Sequence, residues 1–393
     1  QRQMCIRDSS GIVPTLIYYG MQIIHPSFFL ASCCVICAVV SVMTGSSWTT
    51  IATIGIALIG IGAAQGFSTG WVAGAIISGA YFGDKMSPLS DTTVLAASVT
   101  DTPLFTHIRY MLYTTVPSMI VTLIVFSIAG FSREAADASQ IAAFSEALKG
   151  SFHITPWLMI VPIVTGIMIA KKTPSIVVLF ASSILAGIFA LIFQPNALLE
   201  ISGITDSGII AYIKGLLMTF YDSTQIQTGN EALNSLVSTR GMAGMMNTIW
   251  LIICAMCFGG AMSASGMLES ITRIFLHFMR GRTSMVASTV VSGLSLNICT
   301  ADQFIAIILN SEMFKEVYKQ RGFESRLLSR TTEDSVTVTS VLIPWTTCGM
   351  TQSTILGVST WTYFPYCVFN IVSPFMSILI AATGYKIVQK TVK

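Results

Sequence analysis

The sequence predicts an all-α fold: a polytopic bundle of membrane-crossing helices, built as inverted repeats with discontinuous helices. Three observations predict it. Only 10% of the 393 residues are charged and 53% are hydrophobic, with a mean hydropathy of +0.73, whereas a soluble domain carries about 25% charge. Apolar runs of membrane-spanning length recur along the chain. Clusters of Gly, Pro, hydroxyls and carboxylates interrupt those runs, and broken backbone at membrane depth is tolerated only where it is packed in protein or lines a wet cavity.

Taken in order, the apolar runs lie near 11–24, 27–62, 68–100, 110–129, 155–170, 174–193, 244–263, 265–279, 284–310, 325–350 and 357–385, which amounts to about eleven crossings. Residues 1–9 carry Arg2, Arg7 and Asp8, do not begin with Met and do not form a signal peptide. They read as a non-native or mis-assembled leader on an N-terminally truncated chain. Residues 10–193 read as the first-repeat transmembrane region with its connecting helices, 194–243 as a polar linker and 244–393 as the second-repeat region. The spacer 131–153, with Arg133, Glu134, Asp137, Glu146 and Lys149, reads as a surface amphipathic helix.

Positive charge orients the bundle. Lys171 and Lys172, the cluster Lys315, Lys319, Arg321, Arg326 and Arg330, and Lys386, Lys390 and Lys393 fall on the cytoplasmic side with Arg109. The loop 194–206 lacks Lys and Arg and falls outside. Arg280 and Arg282 also fall outside, against the rule. Of the nine cysteines, Cys33, Cys34, Cys37, Cys254 and Cys257 sit in apolar runs without zinc spacing and read as small packing residues.

An internal repeat is visible. Ser10-Gly11 and Ser265-Gly266 each open an apolar segment. Ala31-Ser32 and Ala287-Ser288, Val35 and Val291, and Thr44 and Thr300 are 256 residues apart. Matching Ser90-Asp91-Thr92 to Glu333-Asp334-Ser335 gives an offset of 243 and implies a shorter loop in the second half. An odd number of crossings between the two starts inverts the second copy, as in many secondary transporters.

Four polar breaks carry the chemistry: Thr44 to Thr50, Gly83 to Thr93, Asn297 to Gln303, and Thr331 to Ser335. They offer hydroxyl, carbonyl and carboxylate oxygens, the ligands of a small hard cation. The expected cation- and proton-binding groups are Asp84, Asp91, Glu333 and Asp334, with Ser46, Thr49 and Thr92 as hydroxyl ligands and Asp302 as a further candidate. Pro88 breaks the helix between Asp84 and Asp91. Glu333 and Asp334 are adjacent and face different ways, so one is expected at the cavity and the other at a partner such as Lys85. Burial disfavours the charged form of a carboxyl, so such a group holds a proton until a cation displaces it.

The same residues have structural readings. Asp84 pairs with Lys85 or another interfacial cation, Asp302 caps a helix, and Ser46, Thr49 and Thr50 bond back to their own helix. His107 with Arg109 reads as a solvated turn, and Asp101, Asp222 and the run from Lys315 to Arg330 as solvated faces.

Gly45 to Thr50, Gly74 to Thr93, Phe105 to Thr115, Glu333-Asp334-Ser335 and Pro344 to Gly349 strongly resemble the NhaC-type sodium/proton antiporters, and the likeness runs from Ser10 to the C-terminus. Members of that family carry further apolar helices ahead of the Ser10 segment, and Asn after Asp-Thr-Thr where this chain has Val94. The resemblance implies a multi-pass protein of the cell (inner) membrane that exchanges Na+ for H+, with no cofactor and no enzymatic activity. Some relatives exchange sodium and protons with malate or lactate, and Lys85 would then hold a carboxylate. The expected partners are Na+, H+, the lipid bilayer, a small organic acid in that alternative, and a second copy of the chain as a homodimer; nucleic acid is not among them. Two other classes compete. An intramembrane aspartyl protease needs Gly at position 81, where Tyr81 stands, and a channel would show single-channel currents.

Overall fold

The computed structural model describes residues 11–23, 25–131, 146–171, 173, 175–204, 208–222, 246–268, 270, 274–275 and 281–389. The leader 1–9, the first part of the spacer 131–153, residues 205–207 and 223–243 of the expected linker, and Lys172, Arg280, Lys390 and Lys393 lie outside the described residues. Within them the chain is helical, with one isolated bridge between Phe323 and Gln389. Among the described residues, four helices are long and apolar enough to cross a membrane, and up to six if each of two bent pairs is one span. Inside the expected linker, Pro195–Ser202 and Ile209–Tyr221 form two helices, and Ile209, Ile210 and Leu217 leave one side apolar and exposed.

The run 27–62 divides as its Gly-Ser break requires. Helix α1 (Phe29–Thr44) ends at Gly45, whose φ of 68° closes the last turn in the left-handed conformation glycine favours. Ser46 then caps α2 (Ser47–Ala64), its hydroxyl accepting from Thr49 N. Helix α2 carries a π-turn at Ile51–Gly55. The run 68–100 breaks too. Helix α3 (Thr69–Met86) stops because Ser87 precedes Pro88 and is driven to extended φ/ψ (−84°, 130°), and Ser90 caps α4 (Asp91–Val99). Helix α5 (Leu104–Phe131) follows.

Helices α1 and α3 form a close pair. A Cβ at Gly79 would lie 2.1 Å from the Cys34 carbonyl oxygen, and one at Gly83 2.4 Å from that of Ala38. Two glycines four apart permit this approach, and the Ser41 hydroxyl donates to Ala80 O at 2.6 Å across it. Cys33, Cys34 and Cys37 are buried in the seam, as expected, whereas Cys254 and Cys257 are exposed; their helix turns that side outward.

The second half repeats this course. Helix α6 (Arg282–Thr300) ends at Ala301, with φ of 57°, and Asp302 caps α7 (Gln303–Gln320). In both copies the threonine hydroxyl, Thr44 or Thr300, donates to the carbonyl two residues on and accepts that residue's N–H. Helix α8 (Ser325–Thr332) continues through a π-turn (Glu333–Thr337) and a 3-10 turn (Ser340–Leu342). After Pro344, Thr346 caps α9 (Thr347–Leu356). The counterparts Gly45 and Ala301, Gly66 and Gly322, Ser90 and Thr346, and Asp101 and Gly357 stay 256 residues apart, and the left-handed residues among them recur in step. The offset of 243 is therefore corrected: Asp91 corresponds to Thr347, and Asp334 to Ser78. Matching on acidic residues followed charge, whereas caps and prolines mark the backbone course. The chain then closes with a bent pair, Thr360–Tyr366 and α10 (Val368–Thr383).

Candidate functional site

Three of the four breaks meet at a cavity of about 360 Å³. Its lining includes Gly45, Ser46, Trp48 and Thr49 from the first break, Asp84, Ser90, Asp91 and Thr92 from the second, and Gln303 from the third. Asp84, 7% exposed, is held by Ser47. Its Oδ2 accepts from the Ser47 hydroxyl at 2.6 Å and the Ser47 N–H at 3.2 Å, charge-assisted bonds of the strong kind. Asp91 opens α4 and is exposed to the cavity. Thr92 is buried and shares a 3.0 Å hydroxyl contact with Ser90.

Neighbouring positions on a helix face different ways, and α3 uses this. Asp84 turns to the cavity, and Lys85 turns into the bundle, where its ammonium forms an ion pair with Asp334 at zero exposure of either side chain. Ser373 accepts from Lys85 at 3.2 Å, and Thr114 donates to Asp334 Oδ1 at 3.2 Å. Arg330 Nε lies 3.8 Å from Asp334 Oδ2. Glu333 is fully buried, and neither of its carboxyl oxygens has a hydrogen-bond partner among the described residues. The fourth break thus meets the second through Lys85, one residue from the cavity, and Glu333 and Asp334 are not among the cavity's lining residues.

Asp302 acts as a helix cap. Its Oδ1 accepts from Phe304 N at 2.9 Å and Ile305 N at 3.1 Å, and its Oδ2 accepts from the Thr347 hydroxyl at 3.3 Å. Two expectations of solvated charge are overturned. His107 is fully buried, with Nδ1 2.5 Å from the Ser329 hydroxyl, because α5 turns it inward against α8. Arg330 is likewise buried, between Asp334 and the Tyr110 ring. Its spacing of four residues from Asp334 signals a shared helix face; that α8 is enclosed on this face is a property of the packing. Asp101 is solvated as expected and pairs with Lys315. Sequence reasoning missed Ser47, which lay unremarked within a hydroxyl-rich break, and Ser373, for which no local signal exists.

No three His, Cys, Asp or Glu side chains converge as a metal cluster among the described residues. What the cavity offers is hydroxyl, amide and carboxylate groups, oxygen donors of the kind that hard cations take.

Residues 79–385 match the model of the Na+/H+ antiporter family. The chain belongs to the Na+/H+ antiporter family. It is 35% identical over 373 residues, 94% of this chain and 79% of the relative, to the Na+/H+ antiporter NhaC of Bacillus subtilis. It is 36% identical over 378 residues (96% and 78%) to the malate-2H+/Na+-lactate antiporter of the same organism. The arginine/ornithine antiporter ArcD of Halobacterium salinarum is 30% identical over 385 residues (97% and 76%). These relatives are transporters rather than enzymes, and the chain, like other members of the Na+/H+ antiporter family, is a multi-pass membrane protein of the NhaC type.

Proposed function

We propose that the chain exchanges cytoplasmic Na+ for external H+ across the cell (inner) membrane, with Asp84 and Asp91 taking cation and proton in turn. The observation that carries this reading is the cavity lining: two carboxylates and a set of hydroxyls, with no Lys, Arg or His among the lining residues. A carboxylate withdrawn from water needs a compensating charge. A proton or a sodium ion supplies it, and each displaces the other. Ser47 holds Asp84 Oδ2, so Oδ1 is the oxygen offered to the cargo. Ser46, Thr49 and Thr92 complete the shell. Lys85 and Asp334 neutralise each other inside the bundle, one residue from Asp84, and leave the cavity without a protein cation. Exchange without leak requires the cavity to open to one side at a time, which two inverted repeats provide by rocking about a fixed site.

The second reading, exchange coupled to a small organic acid, rests on the relative that carries malate and lactate. It needs a cation facing the cavity, and Lys85 is sealed by Asp334. Flux in proteoliposomes decides. An imposed pH gradient is expected to drive 22Na+ uptake without malate or lactate, Asp84→Asn to abolish it, and Asp91→Asn to abolish it in a chain that stays folded. Sodium uptake that appears only with malate or lactate present overturns the first reading.

A further inference from the structure

We infer that Gln303 supplies a neutral ligand oxygen to the transported cation, so that the site is assembled from both repeats; this rests on the reading of the Asp84 cavity as the cation site. The first observation is positional. Gln303 is the first residue of α7, directly after the Ala301-Asp302 break, and lines the cavity beside Asp84 and Asp91. It stands 256 residues after Ser47, the first residue of α2. The contact made by Ser47 recurs with it. Ser47 holds Asp84, while Gln303 faces Ser340, the counterpart of Asp84, with 3.2 Å between the Gln303 Oε1 and the Ser340 hydroxyl. The fold has made one contact twice, once around a carboxylate and once with neutral groups.

The second observation concerns hydrogen-bond supply. Ser340 has one hydroxyl proton, and its nearer acceptor is the Thr337 carbonyl at 2.8 Å. The Gln303 oxygen, with two lone pairs and 5% exposure, accepts only this long, shared bond from Ser340 among the described residues and keeps a second lone pair for a further partner. A buried acceptor in that condition at the wall of an acidic cavity is satisfied by a cation. Its neutrality matters as well. An amide adds coordination without adding charge, which suits a monovalent ion already facing two carboxylates, where a third acid would favour a divalent one. A cation bound by Asp84 and Gln303 together also ties the two repeats to each other while it is bound.

The test uses the full chain in proteoliposomes, with 22Na+ uptake measured against sodium concentration for the parent, Gln303→Met and Asp84→Asn. Methionine keeps the length of glutamine and removes the oxygen. The expected result is a KM for Na+ raised about tenfold in Gln303→Met, roughly 1.4 kcal/mol, with Vmax within about twofold and Asp84→Asn inactive. A KM unchanged in Gln303→Met while Asp84→Asn is inactive overturns the role of Gln303 and leaves the cavity reading standing. Activity retained in Asp84→Asn removes the cavity reading and this inference with it. If Gln303→Met does not fold, Gln303→Asn is read instead, by the rise in unfolding temperature that Na+ produces in detergent. A rise smaller than the parent's at equal Na+ supports the ligand role, and an equal rise overturns it.

Discussion

Replacing Lys85 by Met removes one end of an ion pair in which neither side chain meets solvent. Loss of one partner from a buried pair costs about 3–5 kcal/mol, because the other charge is stranded. Here the stranded group, Asp334, keeps a second cation: Arg330 Nε lies 3.8 Å from its Oδ2. At an effective dielectric near 20, a pair at that separation retains about 4 kcal/mol of attraction. Lys85→Met is therefore expected at the low end, about 3 kcal/mol. Asp334→Asn strands Lys85 and Arg330 together and is expected at the high end, about 5 kcal/mol. The two changes also couple with a sign. In the Asp334→Asn background, Lys85→Met removes a stranded ammonium and stabilises the chain. The assay is reversible denaturant unfolding in mixed micelles, run on the parent, both single variants and the double variant. The reasoning is refuted if Lys85→Met destabilises both backgrounds equally, to within about 0.5 kcal/mol, the limit at which two sites count as independent.

Two further outcomes are expected. Gly79→Leu places a side chain where the Cys34 carbonyl oxygen already stands, 2.1 Å from the Cβ position, so α1 and α3 must separate; a loss of about 3 kcal/mol, the upper range for overpacking, is expected in the same unfolding assay. Tyr110→Leu removes a ring that lies 4.7 Å from both the Arg326 and Arg330 guanidinium carbons; a loss of about 1–2 kcal/mol is expected for these cation–π contacts, and a stability equal to the parent's would show that the stack contributes nothing.

Much of the architecture was legible in the sequence because its punctuation is local. Gly45-Ser46 and Ser87-Pro88 break helices through backbone conformations that those residue types impose wherever they stand, and the structure breaks at both. Asp302 was legible as a cap for the same reason. The oxygen-rich chemistry shared by all four breaks was legible, but no rule in the sequence fixes their distances, and the structure brings three of them to the cavity. Arg330 and His107 were not legible. Each carries the composition of a solvated turn, and each is buried by a contact made with another helix: Arg330 by Tyr110 and Asp334, His107 by Ser329. The register of the repeat was misread where acidic residues were taken as its markers. Pro88 and Pro344, with the caps Ser90 and Thr346 and the left-handed pairs on either side, carry it through the second half.

The glycine seam has a mechanical consequence. Helices whose backbones touch at Cys34 with Gly79 and at Ala38 with Gly83 have no room to slide past each other, so α1 and α3 travel as a single strut. Compliance is then concentrated where the helical ladder is already interrupted, at Gly45-Ser46 and between Ser87 and Ser90. Both interruptions belong to the cavity wall, so the parts of the wall that are free to bend are the parts that border the proposed cation site.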